Sequence, residues 1–167
     1  MNTLLAIDPG TRFLGWAGFV GGKLRGAGCS HSPAGDWRTH VENMKIHVWA
    51  VTRSVLGADI VALESMTVRG GDAPTPPQDL INVQTVGCLV ARSFSENVVL
   101  LTPSDWKATI KKSVHHPRIL AALDETERGI VGCACDRAGA HAKEILDAVG
   151  IGLYYLKRTD KGGGIRA

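Results

Sequence analysis

The chain has 167 residues, 44% of them hydrophobic and 21% charged, with a net charge of +3. That length fits one domain around a sizeable core, and the composition is that of an ordinary folded chain rather than a disordered or low-complexity one. No apolar run reaches the ~18–20 residues of a membrane span, so no membrane partner is expected. The N-terminus enters a strand pattern at once, with neither a basic region nor a cleavage site, so no signal peptide is expected and the expected location is cytoplasmic. Cys29, Cys88, Cys133 and Cys135 lack C-x-x-C spacing and read as free thiols of a reducing compartment.

Thr3–Asp8, Phe13–Val20 and Lys23–Ser30 predict three strands, with Asp8-Pro9-Gly10 turning the first and Val20-Gly21-Gly22-Lys23 a tight hairpin. Together they make an antiparallel meander. Val41, Met44, Val48, Val51 and Val55 predict an amphipathic helix over Trp37–Leu56, stopped by Gly57. Asp59–Glu64 predicts a short buried strand parallel to the first. Met66–Pro77, rich in Gly and Pro, predicts an irregular, mobile loop. A helix over Gln78–Ser95 and a strand over Asn97–Leu101 follow. Ser104 is placed to cap the next helix, and Pro117 to open another at its first turn. The last helix is predicted over His141–Leu156. This order gives a mixed sheet with helices on its faces. The domain is expected to span residues 1–157, and the basic, Gly-rich residues 158–167 to form a flexible tail.

The charge is unevenly placed. Pro103–Arg118 holds Lys107, Lys111, Lys112 and Arg118 against the single acid Asp105, and Lys157–Ala167 holds Lys157, Arg158, Lys161 and Arg166 against Asp160. Two basic segments on a slightly acidic body suggest a polyanion as partner.

Four carboxylates carry the chemistry. Asp8 and Glu64 each close an apolar strand pattern, and Glu144 and Asp147 lie three apart on one face of the last helix. Carboxylates beside a core are costly unless paired or metal-bound, and a cluster of hard oxygen ligands suits Mg²⁺ chemistry on phosphate esters, with one or two ions. Plainer readings stand beside this one: Asp8 as a turn residue, Glu64 as half of an ordinary salt bridge, Glu144 as a solvated helix residue. His141, one turn before Glu144, reads equally as a metal ligand, a proton shuttle or a polar first-turn residue.

Asp8-Pro9-Gly10-Thr11-Arg12-Phe13-Leu14-Gly15-Trp16 resembles the first motif of RuvC-type Holliday-junction resolvases. Ala62-Leu63-Glu64-Ser65 resembles their second acidic motif, Gln84-Thr85-Val86-Gly87 the helix after it, Lys107-Ala108-Thr109-Ile110 a lysine-bearing stretch, and Glu144-Ile145-Leu146-Asp147-Ala148 the C-terminal acidic helix. The resemblance implies a ribonuclease H-like fold: a five-stranded mixed sheet flanked by helices. It implies a homodimer that nicks four-way DNA junctions in pairs with Mg²⁺, for which Mn²⁺ substitutes. It implies Asp8, Glu64, Glu144 and Asp147 as catalytic metal ligands, with His141 a candidate fifth. Lys107 and Arg118 are implied as phosphate contacts, Lys111 and Lys112 as added basic groups, and Arg12 as a further candidate.

The sequence departs from the family pattern in four places. Glu144 stands where many members have Asp. The aromatic expected after the second motif is replaced by Met66-Thr67-Val68. The loop over Val68–Asp79 is long and proline-rich. Lys111–His116 replaces a glycine-bearing basic loop. Such divergence suits a phage or mobile-element enzyme in a bacterial cytoplasm. It keeps open a related nuclease for forks, flaps or RNA, and a non-catalytic junction binder. An actin-like ATPase fits poorly, because the chain is short and holds no second phosphate loop.

Overall fold

A computed structural model of the chain describes residues 3–52, 57–65, 77–108 and 110–159. Its strands are β1 (Thr3–Asp8), β2 (Phe13–Val20), β3 (Lys23–His31), β4 (Ile60–Glu64) and β5 (Val98–Leu101). Its helices are α1 (Trp37–Thr52), α2 (Pro77–Arg92), α3 (Pro103–Trp106), α4 (Lys112–Ala121), α5 (Glu125–Ala138) and α6 (Ala142–Tyr155), with a 3₁₀ turn at Gly139–His141. The strands form one sheet in the order β3-β2-β1-β4-β5. β1, β2 and β3 pair antiparallel, whereas β4 runs parallel to β1 and β5 parallel to β4. The mixed five-stranded sheet expected from the sequence is therefore the one observed. Gly21 and Gly22, at φ of 58° and 77°, make the β2–β3 hairpin as their sequence predicts.

Strand periodicity places the site. Leu5 and Ile7 of β1, with Val61 and Leu63 of β4, face the core under α1 and α2. Leu4 and Ala6, with Ala62, face the opposite core, which α6 fills with Ile145, Ala148, Val149 and Ile151. Side chains alternate along a strand, so Asp8 and Glu64 fall on the α6 side. Ile7 pairs with Leu63, so the two carboxylates follow that pair in register. Gly15 of β2 lets α6 come close: a Cβ there would lie 2.0 Å from the Glu144 carbonyl oxygen. The first turn of α6 thus rests directly on the sheet.

Several sequence expectations change. Pro117 does not open a helix; it lies exposed at the sixth position of α4, which begins five residues earlier, and it removes one intrahelical N–H. The cap of α3 is Thr102, not Ser104: the Asp105 carboxylate accepts from the Thr102 N–H at 2.7 Å and from its hydroxyl at 2.7 Å. Lys107 follows α3 as its C-cap. α5 is an additional helix, opened by a capping box between Asp124 and Glu127. Arg158 and Thr159, assigned to the tail, belong to the fold. Arg158 pairs with Glu127 at 2.6 Å, and Thr159 is buried. The predicted loop over 66–76, the last turn of the first predicted helix at 53–56 and the tail from 160 onward lie outside the described residues. All four cysteines are free thiols, and among the described residues no helix is long and apolar enough to cross a membrane.

Candidate active site

Three of the four predicted carboxylates meet in the interior. Asp8, Glu64 and Asp147 are 8%, 4% and 1% exposed, contributed by the ends of β1 and β4 and by the second turn of α6. Burying three carboxylates together is strongly unfavourable without cations, and the chain supplies them. Lys107 Nζ lies 2.9 Å from Glu64 Oε1 and 3.8 Å from Asp147 Oδ2, and its side chain is 9% exposed. The angle to Glu64 is not that of a hydrogen bond, so this pair is held by charge and Glu64 Oε1 has no hydrogen-bond donor. Lys112, the first residue of α4, donates to Asp147 Oδ2. His116 Nε2 lies 3.0 Å from Asp147 Oδ1.

Lys107 and Lys112 reach this cluster from opposite ends of a sharp turn. Ala108 takes the left-handed conformation at φ 53°, a region that L-residues with a Cβ seldom occupy. The turn sends Lys107 inward and returns α4 over the acidic cluster. Lys107, implied as a phosphate contact, and Lys112, implied as an added basic group, are thus ion-paired inside the site, while Lys111 and Arg118 lie on exposed parts of the same segment and Arg12 is exposed beside β2. His116 was not singled out by sequence reasoning. Its only signal was its place in the Lys111–His116 stretch, one turn after Lys112.

Glu144 lies at the rim. Its side chain is 20% exposed; Oε1 is 4.0 Å from His141 Nδ1 and 3.9 Å from Lys143 Nζ, both beyond hydrogen-bond distance. Glu144 Oε2 and His141 Nδ1 are both buried without a hydrogen-bond partner. The His141 ring is fixed by stacking on Phe13, with centroids 3.5 Å apart, and Phe13 stacks in turn on His31 at 4.7 Å. Phe13, which the sequence offers only as a spacer in the first motif, therefore holds the imidazole next to Glu144.

The electrostatics record too much negative charge. Burial pushes the Asp8 carboxyl well above its ordinary range, and the Glu64 and Asp147 carboxylates push it further against the opposing charge of Lys107. For Asp147 burial acts in the same direction, but the His116 hydrogen bond and the Lys107 and Lys112 ammoniums outweigh it and bring the group to about 2. Cys29, beneath the site, is raised to about 11 by burial and then by Glu144 and Asp8. It is an inert thiol rather than a nucleophile.

Among the described residues no three His, Cys, Asp or Glu side chains close around one point as a ready metal cage. The donor set nonetheless fits a hard divalent cation. Four carboxylic acids face three ammonium groups, Lys107, Lys112 and, at the rim, Lys143, and Glu64 Oε1 and Glu144 Oε2 are buried oxygens without a hydrogen-bond donor.

No family model matches the chain, and no curated protein sequence matches it. Among solved structures, T. thermophilus RuvC in complex with a Holliday junction substrate is similar over 93% of this chain and 94% of that one, with a TM-score of 0.50 and 17% identity. The Thermus thermophilus RuvC structure aligns over 95% of this chain and 98% of that one, with a TM-score of 0.46 and 16% identity. The first likeness, with the strand order and helix placement above, shows the ribonuclease H-like fold.

Proposed function

We propose that this protein is a divalent-metal-dependent endonuclease that resolves four-way DNA junctions by paired nicking. The observation that carries the reading is the burial of Asp8, Glu64 and Asp147 together, with the unpartnered Glu144 Oε2 beside them, on a fold shared with a junction-bound resolvase. A structural role accounts poorly for a cluster that holds more negative charge than its lysines balance.

Asp8, Glu64, Glu144 and Asp147 would hold Mg²⁺, or Mn²⁺ in its place, with His141 as a candidate fifth ligand. When bound, such an ion lowers the pKa of a water and polarises a phosphoryl oxygen. The chain's own groups do the rest. Asp8, Glu64 and Asp147 are contributed by strand ends and a helix seated on the sheet, so their backbones are held in place. His141, its ring stacked on Phe13 and its Nδ1 4.0 Å from Glu144 Oε1, is the candidate for taking the proton of the attacking water. Attack forms one new P–O bond as one P–O ester bond breaks in line with it. Lys107 remains inside the cluster as a fixed positive charge for the developing oxyanion. Lys111 and Arg118, with Arg12, serve as outer phosphate contacts.

Cutting two strands symmetrically calls for two sites related by a two-fold axis. The homodimer reading rests on α1 and α2, neighbours on one face, which expose Ile46, Trp49, Ile81 and Leu89. Light scattering after size-exclusion chromatography should give about twice the chain mass.

The test of function is cleavage of synthetic four-way junctions, forks, flaps and RNA duplexes with Mg²⁺. Junction preference is expected. Equal or better cutting of forks or RNA would redirect the proposal to a related nuclease of the same fold, and binding without turnover would make the protein a junction binder.

A further inference from the structure

We infer that Lys112 is an exchangeable stand-in for the metal ion. It occupies Asp147 while the site lacks a divalent cation, and moves to a DNA phosphate when one arrives. This inference deepens the metal-nuclease reading and rests on it.

The two lysines of the site differ in kind. Lys107 is 9% exposed and touches both Glu64 and Asp147 from within. Its ammonium is enclosed between these carboxylates and the Trp106 ring, 4.6 Å away, so it stays. Lys112 shares Asp147 Oδ2 with Lys107, yet its side chain is 50% exposed. It sits at the first position of α4, on a four-carbon stem that can swing outward without disturbing the core. Its ammonium donates to Asp147 Oδ2, and in the free protein that contact holds it inward.

A divalent ion brings two charges and short oxygen bonds to the same carboxylates. It displaces a single half-exposed ammonium, which then faces outward beside exposed Lys111 on the basic segment. There it meets phosphate rather than carboxylate. His116, on Asp147 Oδ1 and 15% exposed, keeps that carboxylate oriented during the exchange, because it holds the other oxygen. The exchange couples metal loading to DNA grip: the protein gains one phosphate contact when the metal binds.

The experiment uses the full chain in two measurements. Mn²⁺ is titrated by isothermal calorimetry into wild type, Lys112→Gln, Lys112→Arg and Lys111→Gln. Lys112→Gln is expected to bind Mn²⁺ about tenfold more tightly than wild type, since a competing cation in direct contact with a ligand is gone. Lys112→Arg should restore affinity to near the wild-type value. Lys111→Gln removes the same net charge one residue away and should change affinity by no more than about twofold. Junction binding is then measured against salt, with Ca²⁺ or with EDTA. The slope of log K on log salt should steepen by about one in Ca²⁺ for wild type and remain unchanged for Lys112→Gln.

Equal Mn²⁺ affinity in wild type and Lys112→Gln, or an equal gain in Lys111→Gln, overturns the stand-in role. A wild-type salt slope indifferent to Ca²⁺ overturns the transfer to phosphate. If wild type itself takes up no Mn²⁺, the metal-nuclease reading fails and this inference fails with it. If wild type binds Mn²⁺ and cuts junctions but Lys112→Gln binds no tighter, only the inference about Lys112 fails.

Discussion

Two buried charged clusters in this protein solve the same physical problem in opposite ways. At the Glu127–Arg158 pair both carboxylate oxygens are satisfied. Glu127 Oε1 accepts from the Leu24 N–H at 2.8 Å and from Arg158 at 2.6 Å; Oε2 accepts from the Asp124 N–H at 3.1 Å and from Arg158 at 2.6 Å. Arg158 Nη1 and Nη2 also donate to the Gly22 and Ala122 carbonyls. One charge meets one charge, through the forked geometry that suits guanidinium and carboxylate. At the acidic site, four carboxylic acids meet three lysines, Glu64 Oε1 is held only by the charge of Lys107, and Glu144 Oε2 is left without a donor. The first cluster ties the chain end after α6 to α5 and the β2–β3 hairpin. The second leaves an unbalanced charge at the sheet's open end. A cluster that evolution needed only for stability would resemble the first.

The contrast predicts that substitutions in the two clusters move different observables. The largest effect belongs to Asp8→Asn, which should lower junction cleavage by roughly a thousandfold or more while the protein stays folded. Next is Arg158→Ala, which strands Glu127 in the interior. Removing one partner of a buried pair costs about 3–5 kcal/mol, so thermal denaturation should show a fall in Tm of about 10 °C, with cleavage at low temperature retained. An Arg158→Ala protein as stable as wild type would break the comparison from one side.

The third effect is smaller and of opposite sign. Asp8→Asn relieves the carboxylate repulsion that raises the Asp8 pKa, so without metal it should gain about 1 kcal/mol, or about 3 °C in Tm. A loss of stability would mean that Asp8 is a structural residue after all.

The smallest effect is in pH. Burial opposes ionisation of Glu127, but the Arg158 hydrogen bonds and the backbone donors outweigh it and lower its pKa. Its stabilisation is therefore fully present above the ordinary glutamate range and is lost as pH falls through the lowered value. Asp8 runs the other way. Its raised pKa means that the folded state keeps a proton the unfolded chain has released. That contribution is complete below the ordinary aspartate range and is lost as pH rises toward the raised value. Urea denaturation without metal should therefore find the advantage of Asp8→Asn over wild type near zero at pH 4 and larger at pH 7.

Legibility from sequence followed the range of the interactions. Asp8 and Glu64 were readable because strand alternation and two apolar runs fix their side of the sheet, and Asp147 because apolar neighbours surround it on a helix. The hairpin was readable from two adjacent glycines. α5 was hidden: Gly129 and Gly132 interrupt its pattern, and only its capping box marked the start. The roles of Lys107, Lys112 and His116 were hidden for another reason. A lysine in a basic stretch reads as a surface cation, and nothing local reveals that the Ala108 turn folds α4 back onto Asp147. Arg158 was misread in the same way, as tail charge, because its partner lies 31 residues earlier in the chain. Charge pairing across the fold is tertiary information.

The central claim is that the acidic cluster is a nuclease site for junctions. The most direct measurement is a time course on a four-way junction labelled on each strand in turn, with Mg²⁺, run for wild type and for Asp8→Asn with the cut positions mapped. The account predicts paired nicks at symmetric positions on two opposing strands for wild type and none for Asp8→Asn. Intact junction with wild type, or the same cuts with Asp8→Asn, would contradict it.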